Sequence, residues 1–567
     1  MKLLLTTIES ECKYTGLAMK YLYSVVAGSP LDVKLRTFSK DIGYMDVFEA
    51  IAGGQYNIVY FHCDENNETV ILRVAEMVKK AAPSTAVVFG GMHVSFGTKE
   101  FMEEHPFVDY VIRGEGETVL FSFLKALLDH EYDFGGIAGF AYREGENVTV
   151  NPFDAPVELE DLPFPYENFD PGNGTVYYES IRGTSDRTVI SQHLPDARIR
   201  ALGLSRVCTE LRYFLAKEVN KVVFFDRYFN YNSERAYRIF EYIINNDNGI
   251  TSFEFNINAD ELDDETLRLL SEARKGQLIF HIDVESTNDD VLTSIGRSAN
   301  IYRLMYNSTK LLRNGNIRSD IHIRAGLPLE TEQLFARSFN KAYGMAEGMP
   351  VHIDPLYMTR GTLLREDSGR FGYIYASESP YEVISTGYLK ADELLRIRAV
   401  SRTVESYIGD GGFKNSIPRI LNDTGMKPYE LFSALTSFIA RSGLRKRMHK
   451  KEHLGRILYA FACGLYDEFA VTSRLGTLQL IISEDLEDML DQEAMKKFER
   501  KGWEIEAKKR ETEVEAAATE GVKADVWIDD ASEEAETEVS ETEELPEPVS
   551  DEAEAQEVKG ETAEASE

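Results

Sequence analysis

The chain has 567 residues, 43% hydrophobic and 11% aromatic, with 96 acidic against 62 basic side chains and a formal net charge of −34. That length suggests three or four domains at roughly 150 residues each, with apolar content enough for a sizeable core, and the acid excess argues against non-specific nucleic-acid binding, which needs lysine and arginine at phosphates. No apolar run approaches the roughly 18–20 residues of a membrane span, and the opening stretch Met1–Glu9 is too short and too soon acidic for a signal peptide.

The acid excess is uneven: 22 acids face two lysines from Glu511 to Glu567. The four cysteines, Cys12, Cys63, Cys208 and Cys463, are too far apart for a local metal cluster. Together these features predict a cytoplasmic protein with reduced thiols and neither nucleic acid nor membrane as partner.

In chain order, Lys2–Ile8 predicts a strand, Gly16–Val26 a helix, Val33–Thr37 a strand and Met45–Ala52 a helix. Ile58–Phe61, Ala86–Phe89 and Val108–Ile112 read as further strands, with helices over Thr69–Ala82 and Thr118–Asp129. Strands alternating with helices predict an α/β fold with a parallel sheet. Such sheets bind ligands beyond the C-terminal ends of their strands. Gly90-Gly91 and Gly114-Glu115-Gly116-Glu117 fall there.

Residues 136–172 read as a connector rich in Gly and Pro. The βα rhythm then resumes, with strands at Val222–Phe225, Ser252–Asn256, Leu278–Val284 and Ile321–Ala325, which suggests a partial or full βα barrel. Apolar spacing with a 3.6-residue period predicts a helical domain after that. The expected boundaries are 1–135, 136–172, 173–375, 376–510 and 511–567, the last an acidic tail too charged to fold.

Two paired segments, Phe89-Gly90-Gly91-Met92-His93-Val94-Ser95 and Phe107–Glu117, resemble the Rossmann-like N-terminal domain of cobalamin-binding radical SAM proteins. The resemblance implies that Gly90, Gly91, His93 and Gly114, Glu115, Gly116, Glu117 bind cobalamin. Glycine has a physical reason there, since a corrin and its nucleotide tail approach a backbone closely where side chains are missing. Tyr178–Gly183 is similar to the approach to that family's cluster loop, and Val223–Asn230, Phe255–Leu270, His281–Val291, Ala325–Glu330 and Arg360-Gly361-Thr362 to its later barrel landmarks. The likeness spans about residues 1–375, and the helical stretch resembles an extra domain of one subgroup.

The cluster loop departs from that family. Where R-G-C-x-x-x-C-x-x-C is expected, the cysteine positions are Thr184, Thr188 and Ser191. A 4Fe–4S cluster is held by soft thiolates, whereas threonine and serine hydroxyls are hard and stay protonated near neutral pH. The sequence therefore predicts no 4Fe–4S cluster and no cleavage of S-adenosylmethionine.

Other candidates follow from the same likeness. Glu285, Asp226, Asn258 and Arg297 stand near barrel strand ends and read as a relic S-adenosylmethionine site. Asp64 and Glu65, after the third strand, bring two carboxylates to a place where an apolar macrocycle would lie, which is costly unless they are paired. His62 and Cys63 at that strand end read as structural. The basic run Arg441, Arg445, Lys446, Arg447, Lys450 and Lys451, with His449 and His453, reads as a solvated helix face on which the acidic tail could fold back.

Three readings stay open. One is a corrinoid carrier or sensor, or a non-catalytic partner of an active radical SAM or methyltransferase protein. The second is a cobalamin-dependent enzyme of methyl or radical transfer with an atypical cluster. The third is a scaffold that binds no cofactor.

Overall fold

Alternation of strand and helix from the N-terminus returns the chain each time to the same end of the sheet, so successive strands pair in parallel. A computed structural model describes residues 1–8, 15–183, 188–227, 229–297, 299–346, 348–409 and 412–503. Cys12, Thr184 and the whole acidic tail 511–567 lie outside the described residues, as does the end of the helical segment from 504. The described residues fall in one compact unit.

The first sheet has seven strands: β1 (Lys2–Ile8), β2 (Asp32–Phe38), β3 (Ile58–His62), β4 (Ala86–Gly90), β5 (Tyr110–Ile112), β6 (Phe140–Glu144) and β7 (Asn147–Val150), in the order β2-β1-β3-β4-β5-β6-β7. β1 to β5 are parallel. β6 and β7 are an antiparallel hairpin that extends the edge. The sheet thus continues past residue 135 into the expected connector. Leu4, Val59, Phe61, Val87 and Phe89 pack one face, and Leu3, Leu5, Tyr60 and Val88 the other, so the strands are apolar on both sides.

A short pair, β9 (Ile181–Arg182) with β10 (Arg200–Ala201), flanks the cluster loop. The second sheet holds β8 (Thr175–Tyr178), β11 (Lys221–Phe224), β12 (Ser252–Ile257), β13 (Leu278–Glu285), β14 (Arg318–Ala325) and β15 (Val351–Pro355), all parallel, in the order β15-β14-β13-β12-β11-β8. β8 and β15 were not foreseen from the sequence. Burial alternates strictly along β12, β13 and β14. Phe253, Phe255, Phe280 and Ile282 meet Phe240 and Phe339 from the surrounding helices, and the opposite face carries charged and polar residues.

Helices over Ala391–Val404, Ser416–Thr424, Pro428–Arg441, Lys451–Glu468, Leu475–Met489 and Gln492–Lys501 follow. They share the barrel's core: Tyr429 packs on Phe335 and Phe339, and Phe432 on Phe339. The small pair β16 (Ile374–Tyr375) and β17 (Val383–Ser385) precedes them. Among the described residues, no helix is long and apolar enough to cross a membrane.

Candidate functional site

Polar and glycine residues gather at three places, the first at the C-terminal ends of the first sheet. Gly90 ends β4, and Gly91 turns out of it with φ +113°. A side chain at either position is excluded by the protein itself. A Cβ on Gly90 would lie 2.1 Å from the Tyr60 hydroxyl, and one on Gly91 2.4 Å from the Cys63 carbonyl oxygen. Tyr60 is 1% exposed. The space that the two glycines leave is therefore taken by a β3 tyrosine and by the loop after β3.

His93 is buried beside this turn. Its Nε2 lies 3.1 Å from Glu68 Oε2, its ring stacks on Tyr381 at 5.9 Å, and Arg360 lies 3.8 Å from the same carboxylate. Burial alone would raise the Glu68 carboxyl, but the hydrogen bond and charge of His93, with Arg360, hold it below its ordinary range. His62 is pushed down to about 4 by burial, so its ring is neutral near pH 7.

Asp64 is buried and its carboxylate is hydrogen-bonded. Its carboxylate accepts the backbone N–H groups of Asn66 and Asn67, which closes the turn before the helix Glu68–Ala81. Glu65 offers its backbone carbonyl to the Ser379 hydroxyl. The residue that fills the place beside the glycines is Tyr60, not Asp64 or Glu65.

The Gly114–Glu117 segment is an interdomain clamp. Gly114 (φ +72°) donates its N–H to the Ser95 hydroxyl. Glu115 binds Arg200 through both oxygens and accepts the N–H of Val157. Glu117 lies 3.0 Å from Arg182, which also pairs with Glu179. Gly116 gives the following helix room to pack, with Leu22 and Ile112 closest. The two glutamates predicted to hold cobalamin are thus engaged by arginines of the second domain.

The second place is the cluster loop. Thr188 donates its hydroxyl to the Ser191 hydroxyl at 2.9 Å, and the Ser191 N–H returns to the Thr188 carbonyl. His193 Nε2 lies 2.9 Å from that same carbonyl. Val189 and Ile190 pack on Leu292, Ile295 and Met358. Two of the three expected cysteine positions therefore satisfy one another within a packed turn, and Thr184 lies outside the described residues.

The third place is the charged face of the second sheet. Glu285, in the left-handed region with φ +61°, sits at a bulge opposite β14 and pairs with Arg324 at 2.7 Å. Backbone strain of this kind collects at functional positions. Arg297 reaches the Asp283 carbonyl and, at 3.4 Å, the side chain of Asn258. Arg297 thus stands beside Asn258, and its charge reaches Glu285.

Asp226 is placed differently. It is fully buried, accepts the N–H groups of Ser180 and Ile181 and the Ser180 hydroxyl, and is pushed up to about 7 by burial. It pins the start of the cluster loop and faces no ligand space.

Deeper on the same face, sequence reasoning missed a chain of side chains: Glu254, His281, Asp320, His322, Asp354 and His352. His281 touches Glu254 at 3.0 Å and Asp320 at 2.7 Å, and His322 touches Asp320 at 3.3 Å and Asp354 at 3.0 Å. Against the opposing effect of burial, carboxylates on both sides push these imidazoles up to about 9 and about 10, so both carry protons at neutral pH. The available signal was the alternation F-E-F-N, F-H-I-D, D-I-H-I-R and V-H-I-D, which places a charge at every second residue of four strands.

Residues 1–124 match the B12 binding domain family, residues 198–342 the radical SAM superfamily, and residues 369–549 a family described as a protein of unknown function (DUF4080). Over 96 residues the chain is 35% identical to the cobalamin-dependent radical SAM methyltransferase TokK of Streptomyces tokunonensis, covering 17% of this chain and 14% of that protein. Over 133 residues it is 31% identical to a 2-(S-pantetheinyl)-carbapenam-3-carboxylate methyltransferase of Streptantibioticus cattleyicolor, covering 23% and 19%. The matched stretches span less than a fifth of either curated relative. In fold, the chain is similar to the radical enzyme OxsB with aqua-cobalamin bound, with TM-score 0.56 and 14% identity over 88% of this chain and 80% of that one. It is also similar to the methyltransferase TsrM of Kitasatospora setae, with TM-score 0.53 and 14% identity over 67% and 80%.

Proposed function

With a B12-binding and a radical SAM domain in series the chain belongs to the cobalamin-binding radical SAM family, and from that premise we propose that it keeps the family's fold without its radical chemistry. In this reading it acts as a non-catalytic partner of an active radical SAM or methyl-transferring enzyme. The observation that carries the reading is the hydroxyl pair Thr188–Ser191 at two cluster positions. Two hard, protonated oxygens bonded to each other do not fit an iron–sulfur cluster.

The N-terminal match supports cobalamin as the ligand class of that domain. Gly90, Gly91 and His93, at the C-terminal ends of the first sheet, are the residues that would stand against a corrinoid there. For S-adenosylmethionine the donor set is polar. Glu285, Arg297 and Asn258 keep polar groups together at one strand end, where a charged amino acid and a ribose find complements.

The test is anaerobic reconstitution with iron and sulfide, followed by iron analysis. The wild type is expected to hold no cluster iron, and a variant with Thr184→Cys, Thr188→Cys and Ser191→Cys to gain it. A wild-type chain that takes up about four irons with a cluster absorption band would sink this reading. The enzyme reading would then lead. Its support is the 35% identity to a cobalamin-dependent methyltransferase.

A further inference from the structure

Three histidines stand on three adjacent strands of the second sheet: His281 on β13, His322 on β14 and His352 on β15. Each has one ring nitrogen on a carboxylate of its own. His281 Nε2 is 3.0 Å from Glu254, His322 Nδ1 is 3.0 Å from Asp354, and His352 Nδ1 is 2.8 Å from Glu405. Each turns its other nitrogen toward one shared carboxylate, Asp320, at 2.7, 3.3 and 4.0 Å.

This is the arrangement that metal-binding histidines use. An outer carboxylate takes the N–H of one nitrogen, which fixes the ring and leaves the lone pair of the other facing inward. The inward atoms of His281, Asp320 and His322 all lie within 4.8 Å of one another. Bonds of about 2.0–2.1 Å to nitrogen and oxygen require ligand atoms gathered at that scale. The side chains are 27%, 18%, 25% and 20% exposed for His281, Asp320, His322 and His352, so an ion can reach them.

We propose that His281, His322 and Asp320, with His352 as a fourth ligand, form a binding site for a divalent first-row transition ion of the zinc class. Imidazoles with one carboxylate suit zinc and its neighbours, whereas magnesium and calcium favour all-oxygen shells. Without the ion, protons on the rings hold the carboxylates together. Lys221 pairs with Glu254, and the imidazoliums of His281 and His322 lie between Glu254, Asp320 and Asp354. The ion replaces ring protons, and Glu254, Asp354 and Glu405 become its outer carboxylates. The site lies on the same sheet face as the strand-end group around Glu285, and Asp354 and His322 interact with Arg324 and Asp283 of that group.

Untagged full-length protein, loaded with zinc or cobalt(II) and desalted, is expected to retain about one ion per chain by mass spectrometry of the metal. His281→Asn and His322→Gln are each expected to abolish retention. His449→Gln, on an exposed residue elsewhere, is expected to leave it intact. A wild type that retains no zinc, or variants that retain as much as the wild type, overturns the site. If the variants fail to fold, nitrogen-15 spectra of the wild-type histidines decide. Zinc should convert these three rings to neutral forms with one metal-bound nitrogen, and rings that stay doubly protonated beside added zinc exclude the proposal.

Discussion

At the C-terminal ends of the first sheet the side chains around the glycine turn pack against one another. Tyr60 lies where a Gly90 side chain would be, Tyr381 stacks on His93, and Glu115 and Glu117 hold arginines of the neighbouring domain. The second sheet is as parallel as the first, yet its polar face keeps imidazoles, carboxylates and arginines side by side and partly exposed. A slot closed by an aromatic ring gains apolar burial and becomes core. A gathering of charges gains nothing comparable, because burying ions costs more than their pairing returns unless each finds its partners. The two sheets thus differ in how much charge their ligand-facing ends carry.

The sharpest way to break this contrast is at Tyr60. Tyr60→Gly removes a fully buried ring, and large-to-small changes of that kind cost about 3–5 kcal/mol, here with a strand glycine added. The urea midpoint should fall accordingly. Incubation with hydroxocobalamin and desalting, read as a corrin spectrum, shows what that ring leaves open. A wild type that keeps about one corrin per chain means that the first sheet holds the ligand beside Tyr60, and a wild type that stays colourless while Tyr60→Gly gains the spectrum means that the ring closes the place.

Next in size is the clamp. Glu115→Ala leaves Arg200, 4% exposed, without its bidentate partner, and breaking a buried pair from one side costs about 3–5 kcal/mol. The loss should appear as separated unfolding of the N-terminal and barrel parts in calorimetry. A single transition moved by less than about 1 kcal/mol, the range of exposed pairs, would mean that the two domains are held by packing alone.

Much of this was legible beforehand, and the failures have physical causes. The strands β1 to β5 announced themselves through β-branched runs between amphipathic helices. Short strands were legible in the connector, but not that β6 and β7 pair as a hairpin on the edge of the first sheet, a contact that exists only once the chain is folded. β15, with His352 and Asp354 inside it, was hidden because charges on one strand face dilute the apolar signal. Glu285, Arg297 and Asn258 were singled out because barrel strand ends are where sites form. Asp226 satisfied the same rule and was misplaced, since nothing in the sequence shows that its carboxylate turns back to Ser180. Tyr60 reads as one more aromatic in a buried strand. Its contact with Gly90 and the pairing of Arg182 with Glu117 exist only once the chain is folded.

A smaller effect sharpens the contrast within the barrel. Glu330 is fully buried, accepts the N–H groups of Gly326 and Leu327 with one oxygen and leaves the other without a partner. Burial raises its carboxyl from the ordinary 4.5 to about 8, more than those hydrogen bonds can offset. The folded form then holds a proton that the unfolded chain releases. Its stabilising contribution is complete below the unfolded value and is lost as pH rises through about 8, at about 1.4 kcal/mol per pH unit. Glu330→Gln should remove this slope, so that denaturation midpoints taken near pH 5 and near pH 8 differ less than in the wild type. An unchanged difference would place the ionised carboxylate in the folded protein, next to water.

The smallest effect falls at the cluster loop. Thr188→Val keeps the shape of the side chain and removes the hydroxyl that donates to Ser191, a single partly buried hydrogen bond worth about 1 kcal/mol. Val189 and Ile190 hold the turn to the barrel through apolar contacts that the variant leaves alone. The expected result is therefore a slightly lower denaturation midpoint with the fold and the metal content unchanged. If Thr188→Val instead lowers the iron taken up in reconstitution, the hydroxyl is ligating iron, and the loop still belongs with the working face of the barrel.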